Sequence, residues 1–566
     1  MSDAIKDWCA ALDDVTTIEA GRGLFSDCGA WHGYCRAGDQ LEVRELVDLQ
    51  AIMRIGLGEN SRVTARVDGI ESPDFRLGFA DGRSAILEIR AKMLEGTSEL
   101  PFSAAEGALT IESGSGVLQT RIMGPGRVEK NGPQWILRGG TSPFHVIQSF
   151  EPRGRPALWS DSDPARVFER NRSRWNGYLQ PLLAPRQDRA LRRLLARCAA
   201  TLIHNWRSPA GGIEHAGVIP SPFAYRGFWA WDSWKHARAL ALFAPELAKD
   251  QVRAMFDHQL DDGMVPDTVM VDPGANNGAN TKPPLAAWAI ERIFAATGDR
   301  DFIAEMAPAL LRYDAFWEKR RHEGAPLYSW GGAGEIEARW ESGWDNATRF
   351  DGVAMVPGRD CLLMNTLSVD LNAFLCQDKR FLAELCDTVG KASDGRRLRG
   401  EADAIETALR ERLFDEDHGA FFDMTWPACE RVRALTAATW APLWCGIATA
   451  DQAARVADHM LDESAFRTPL PLPTVARNDP DFDPDGYWRG AVWIDQAAMG
   501  VEALLNYGYV GEARQILAAL LAGLARHDTF YECYHPIDGN SAAGERPAVG
   551  QFSWTAAHTL LMWEHS

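Results

Sequence analysis

Phe223-Ala-Tyr-Arg-Gly-Phe-Trp-Ala-Trp-Asp-Ser-Trp-Lys-His-Ala-Arg-Ala-Leu-Ala-Leu-Phe243 decides how this chain folds. Its first half sets Phe223, Tyr225, Phe228, Trp229, Trp231 and Trp234 around Arg226 and Asp232. Its second half, from Asp232 to Phe243, carries apolar residues at helical spacing. A polar-aromatic loop that runs straight into a helix is the unit from which the rest is built. Apolar helical periodicity returns over Arg189 to Trp206, Pro284 to Ala296, Phe302 to Arg320, Leu362 to Gln377, Ala402 to Leu413, Ala491 to Leu505, Glu512 to Ala525 and Trp554 to Trp563. Loops rich in Gly, Pro and Asp separate these segments, and strand patterning is almost absent. About a dozen helices in hairpin pairs fit a closed double ring, six inner and six outer. A helical solenoid would show a fixed sequence period, and none is visible.

Upstream the texture differs. Ser61-Arg-Val-Thr-Ala-Arg-Val67 and Gly116-Val-Leu-Gln-Thr-Arg-Ile122 alternate apolar and polar residues. Turn-prone Asp68-Gly69, Asp81-Gly82-Arg83 and Asn131-Gly132-Pro133 separate such segments, the pattern of an antiparallel sandwich. Asp163-Pro164 then signals a helix start. The expected organisation is a β-rich domain over residues 1–160, a linker helix region over 161–190 and a mainly α domain over 191–566. No chemical constellation stands out in the β-rich part, which suits packing or a substrate rim.

The chain has 566 residues, 46% hydrophobic and 24% charged, with a formal net charge of −19. Such a surface repels phosphate backbones and argues against a nucleic-acid partner. No run approaches the ~20 apolar residues of a membrane span. The first residues lack a basic segment leading into an apolar one, and ten cysteines are scattered without a CxxC pair. These features predict a cytoplasmic protein without a membrane partner. Oligomeric state is not encoded in any readable pattern.

Five loops carry the chemistry. Tryptophan is frequent, at 21 residues, and many sit in short polar contexts. An indole offers a flat apolar face and one N–H donor, which suits the C–H faces and hydroxyls of a sugar. In the opening loop Phe228, Trp229 and Trp231 are such candidates, while Asp232 can cap its helix or accept from sugar hydroxyls. Lys282, in Asn276-Asn-Gly-Ala-Asn-Thr-Lys-Pro-Pro284, can donate to a hydroxyl or stay solvated. In Arg339-Trp-Glu-Ser-Gly-Trp-Asp-Asn-Ala-Thr-Arg-Phe-Asp351, Glu341 and Asp345 lie beside Trp340 and Trp344. A carboxyl group against indole is poorly solvated, so its proton is retained, as a general acid requires. A salt-bridged helix start would use the same residues. In the fourth loop Arg489 stands among Tyr487, Trp488 and Trp493, and it can serve a substrate or a surface ion pair. In the fifth, Glu532 follows Tyr531, and Trp554 lies downstream. Glu532 can be a catalytic base or an ion-pair partner.

Metal and phosphate chemistry find little support. Asp481-Phe-Asp-Pro-Asp485-Gly486 opens like a calcium loop, but Val492 stands where the closing Glu belongs. The 13 histidines form no HExxH pattern, and no GxxxxGK[ST] loop occurs. No metal and no cofactor is expected.

Gly227-Phe-Trp-Ala-Trp-Asp-Ser-Trp234, Thr281-Lys-Pro-Pro284, Glu341-Ser-Gly-Trp-Asp-Asn346, Tyr487-Trp-Arg-Gly490 and Phe530-Tyr-Glu532 with Phe552-Ser-Trp554 occur in the order typical of glycoside hydrolase family 63. From about Arg170 onward the chain resembles that family, which includes α-glucosidases and hydrolases of mannosylglycerate and glucosylglycerate. The resemblance implies an (α/α)6 barrel and exo-acting, inverting hydrolysis of a small α-glycoside, with α-glucosidase as the family-level expectation. It places Asp345 as general acid and Glu532 as general base. It also places Asp232, Lys282, Glu341, Trp488 and Arg489 around the sugar that is cleaved off. Two alternatives remain at this stage: a glycoside phosphorylase on the same barrel, and a non-catalytic carbohydrate-binding protein.

Overall fold

A computed structural model of the chain describes residues 23–56, 63–105, 107–152, 163–183, 187–322, 326–542 and 548–565. The N-terminal stretch read above for a leader, Cys9, and the expected boundary at 160 lie outside these residues.

The β region is a pair of antiparallel sheets. One runs His32–Ala37, Gln40–Glu45, Ala51–Gly56, Leu94–Thr97, Gln134–Gly139 and Gly126–Asn131 in spatial order. The other runs Thr64–Arg66, Gly69–Glu71, Phe75–Phe79, Ser84–Ile89, Phe144–Pro152, Gly116–Met123, Ala108–Glu112 and Phe102–Ala105. Period-2 alternation sets the burial: in Gly116–Met123, Leu118, Thr120 and Ile122 point into the core while Gln119 and Arg121 do not. Tyr34, Leu41, Val43, Leu77, Leu87 and Trp135 belong to one continuous core that also runs into the helical part.

Fourteen α-helices follow among the described residues. They are α1 (Pro164–Leu179), α2 (Arg189–His204), α3 (Ala230–Leu240), α4 (Pro245–Phe256), α5 (Ala286–Thr297), α6 (Arg300–Trp317) and α7 (Glu335–Ser342). Then come α8 (Val369–Thr388), α9 (Ala392–Arg412), α10 (Ala441–Trp444), α11 (Ala450–Leu461), α12 (Ile494–Asn506), α13 (Val510–Ala525) and α14 (Ser553–Trp563). Helix α3 packs on α5, α5 on α8, α8 on α10, α10 on α12, α12 on α14, and α14 returns to α3. Helices α2, α4, α6, α9 and α13 pack outside that cycle, each against one or two of its members.

Residue type explains which helix takes which place. In α12 every residue from Ile494 to Val501 is buried, so it needs neighbours on all sides. In α9 the buried Leu398, Ala402, Ile405 and Leu409 form one stripe on an otherwise polar helix. One side against α8 satisfies it. Asp163 caps α1 by accepting from the N–H of Ala165 at 3.1 Å, and α1 packs against the strands Phe75–Phe79 and Ser84–Ile89. The linker region therefore buries one face on the sandwich.

The structure corrects one helix. The run Leu362 to Gln377 reads as a single helix, but Leu362–Met364 is a strand paired with Gly331–Gly332 and Met355–Pro357. The helix begins at Val369. A three-residue strand has too little length to show its period.

Candidate active site

The five loops meet at one end of the helical cycle and enclose a cavity of about 430 Å³, including its mouth. Trp229, Trp231, Asp232, Lys282, Asp345, Trp488, Trp493, Glu532 and Trp554 line it, together with Pro220, Tyr225, Gly343, Tyr487 and Phe552.

Phe228 and Trp229 form a two-residue ladder with Thr268 and Val269, which aims the start of α3 at the cavity. Trp229 is the N-cap of α3 and no side chain caps it, so Asp232 does not serve as the cap. It sits in the first turn, 6% exposed, and lines the cavity. Burial pushes its carboxyl from 3.8 up to about 7, against the pull of Lys235 and Lys282. Lys282 reaches the carbonyl of Trp340 and lies 3.5 Å from Asp267 Oδ1. Asp267 is fixed in turn by Asn277 and Asn280, each donating to Oδ2 at 3.1 Å.

A layer of indoles lies under these groups. Trp488 stacks on Trp493 at 3.9 Å and on Trp344 at 5.0 Å, and Trp554 lies 5.0 Å from Trp231. Lys235 is fully buried beneath, with Nζ 3.3 Å from the ring centres of both Trp231 and Trp554 and 2.9 Å from Asp495 Oδ2. Burial lowers its ammonium to about 8, while Asp495 and Asp232 oppose that shift. A cation held between two π faces and one carboxylate fixes both rings at close range.

Asp345 follows α7 through Gly343, which ends that helix in the left-handed conformation at φ +76°. A Cβ at Gly343 would stand 1.9 Å from Trp231, so both the backbone and the neighbouring ring require glycine here. The next residue, Asn346, ties this loop to the fourth one. Its amide donates to the carbonyl of Gly486 at 3.0 Å, and its side-chain oxygen accepts from the N–H of Trp488 at 3.0 Å.

Glu532 is 3% exposed. Its Oε1 accepts from the phenols of Tyr225 at 2.8 Å and Tyr487 at 2.7 Å. Tyr487 adopts φ +64°, a conformation uncommon for any side chain but glycine, and one that persists only where its surroundings enforce it. Its phenol is pushed well above 10 by burial and by Glu532, so it stays a donor.

Six of the expected site residues lie elsewhere. Glu341 is fully buried behind the wall. It accepts from the N–H of Gly331 at 2.7 Å and of Thr281 at 3.4 Å, and from Arg320 at 3.1 Å. Burial raises its carboxyl while Arg320 opposes, and its work is to join three loops. Arg489 forms a two-pronged pair with Asp351, at 3.1 and 2.9 Å, on the outer side of the loop. Phe228 is buried against Gly217. Trp340 is 40% exposed, Trp344 supports Trp488 from below, and Tyr531 packs on His527. Pro220, Tyr225, Gly343, Tyr487 and Phe552 were not singled out from the sequence, although the last four stand inside or beside the quoted motifs. The need of a buried carboxylate for neutral donors would have pointed to the two tyrosines. Asp481, Asp483 and Asp485 join no metal-binding group, and none of three or more His, Cys, Asp or Glu exists among the described residues.

Residues 225–555 match the model of the mannosylglycerate hydrolase MGH1-like glycoside hydrolase domain. The mannosylglycerate hydrolase MGH1 of Selaginella moellendorffii is 27% identical over 413 residues, covering 61% of this chain and 81% of that protein. The crystal structure of a GH63 mannosylglycerate hydrolase from Thermus thermophilus superposes with a TM-score of 0.55 at 24% identity, over 66% of this chain and 100% of that one. A bacterial glucoamylase shares the fold alone, at 10% identity and TM-score 0.54, over 98% of this chain and 96% of its own.

Proposed function

Because the chain belongs to glycoside hydrolase family 63 and is a glycoside hydrolase, we propose that it removes a single sugar from a small α-glycoside with inversion at the anomeric carbon. The observation that carries this reading is the meeting of Asp345 and Glu532, from loops far apart in sequence, in one indole-floored cavity. In the proposed reaction Asp345 protonates the leaving oxygen. Glu532 takes a proton from a water molecule, which attacks the opposite face of the sugar. An inverting pair stands ~6.5–9.5 Å apart to leave room for that water. Asp232 accepts from ring hydroxyls, Lys282 donates to them, and Trp231 and Trp488 cover the C–H face of the sugar. The helical cycle is read as an (α/α)6 barrel, with the cavity at its mouth.

Mannosylglycerate is the first substrate to test, since it names the activity of the plant and thermophile relatives. Glucosylglycerate and short α-glucosides come second. Nine cysteines are free among the described residues, which fits the cytoplasmic placement proposed here. A phosphorylase would need a basic pocket for phosphate. Among the described residues Lys282 is the one cation that lines the cavity, and Asp267 and the Trp340 carbonyl engage it.

The test is a panel of these substrates, with the released anomer followed by NMR and with and without phosphate. Inverted product without a phosphate requirement is expected. Asp345→Asn and Glu532→Gln each lose turnover by at least ~10²–10⁴-fold while keeping the wild-type melting profile. Retention of configuration, or full activity in either variant, would refute the assignment.

A further inference from the structure

The matched domain begins at residue 225, and the Thermus structure is covered in full by 66% of this chain. The β region lies outside the matched domain, yet two of its backbone segments reach the loops of the cavity.

The first joint is at Val47, two residues beyond the strand Gln40–Glu45. Its carbonyl accepts from Arg226 Nε at 2.9 Å. The turn that presents this carbonyl is built for it. The fully buried carboxylate of Glu45 accepts from the N–H groups of Val47, Asp48 and Gln50 at 2.8, 3.0 and 2.7 Å. Arg226 is the neighbour of Tyr225, whose phenol donates to Glu532. The second joint is at Leu24. The side chain of Gln551 accepts from its N–H and donates to its carbonyl, both at 2.9 Å. Gln551 is 6% exposed, adopts φ +52° and directly precedes Phe552. The two held loops meet at Tyr225, whose ring stands 5.2 Å from Trp229 and 5.9 Å from Phe552.

We propose that the β region is a working part of the active site, with Arg226 and Gln551 as positioning residues that fix Tyr225 and Phe552 against its backbone. The proposal rests on Glu532 being the base. A hydrogen bond weakens steeply as its length and angle drift. Misplacing a catalytic group by about 1 Å costs ~10²-fold in rate. The Phe228–Trp229 ladder and the Tyr225 N–H to Ser221 carbonyl bond at 3.1 Å hold this loop from the helical side, and the Arg226 bond to the pre-formed turn at Val47 adds a tie from the β region on the residue next to Tyr225.

The test uses the full chain. Arg226→Ala, Arg226→Lys, Tyr225→Phe and the Arg226→Ala/Tyr225→Phe pair are compared by amide hydrogen exchange over 223–229 and by kcat on mannosylglycerate. Arg226→Ala is expected to speed exchange in that segment about tenfold and to lower kcat about tenfold, with Arg226→Lys recovering part of both. In the Tyr225→Phe background Arg226→Ala should cost nothing more, because it acts through Tyr225. A residue that merely stabilised the fold would multiply with Tyr225→Phe instead. Gln551→Leu is expected to raise KM through Phe552. Unchanged exchange in Arg226→Ala overturns the proposal without any substrate, and so do multiplicative losses in kcat. If Tyr225→Phe keeps full kcat at every pH across the acidic limb, Tyr225 has no part in the reaction and the proposal falls, while Glu532 is judged separately by Glu532→Gln. If Tyr225→Phe is impaired and Arg226→Ala is silent, the tether alone is wrong.

Discussion

Removing the phenol oxygens that hold Glu532 should change how activity depends on pH. Two O–H groups donate to one carboxylate oxygen, at 2.8 and 2.7 Å, in a group that is 3% exposed. Water is poorly placed to replace either one. A hydrogen bond to a charged group contributes ~1.5–3 kcal/mol. These donors favour the carboxylate over the carboxylic acid, and each pH unit corresponds to about 1.4 kcal/mol. Tyr487→Phe or Tyr225→Phe should therefore move the acidic limb of kcat/KM upward by about one to two pH units. Both phenols donate to the same carboxylate oxygen, so the double variant should move it by less than the sum. Initial rates on mannosylglycerate from pH 4 to 9 measure the limb. A limb that stays put in both single variants would show that the tyrosines do not govern the ionisation that matters, and the assignment of Glu532 as base would go with it.

Beneath the indole layer, Lys235→Met strands Asp495 as a buried, uncompensated charge and should cost roughly 3–5 kcal/mol in urea unfolding. Lys235→Met/Asp495→Leu should recover most of that loss; a single variant as stable as wild type would contradict the burial argument. For Asp232, the carboxyl moves from 3.8 unfolded to about 7 folded, so its contribution is complete below about 4 and is lost as pH rises toward 7. Asp232→Asn should consequently gain stability on wild type between pH 4 and 8, by at most about 4 kcal/mol at 1.36 kcal/mol per unit. Melting curves that run parallel across that range would refute it.

The sequence told more about where the site is than about which atoms face it. Loops that carry Trp and a carboxylate ahead of a helix stood out, because polar-aromatic clusters have no reason to recur in a plain bundle. Which of two nearby acids looks into the cavity was not legible. Glu341 closes α7 and points back at Arg320, whereas Asp345 lies beyond the turn at Gly343 and points inward. That difference arises from one left-handed residue. Arg489 faced a similar ambiguity, and Asp351, six residues beyond Asp345, settled it from across the loop. Tyr487 was hidden beside Trp488, since a tyrosine next to a tryptophan adds nothing to an aromatic count. Helix existence was readable from period, but the strand Leu362–Met364 was too short to interrupt the apparent helix.

The cycle of inner helices is closed by α14 packing on α3. Those partners are separated by most of the matched domain. At about 5–20 residues per second of synthesis, tens of seconds pass between the emergence of Trp231 and that of Trp554. Throughout that interval the apolar flanks of α3 have no partner from α14, and Lys235 lacks one of its two rings. A nascent chain is thus an open arc until α14 emerges, and the cycle closes only with the last helix to be made.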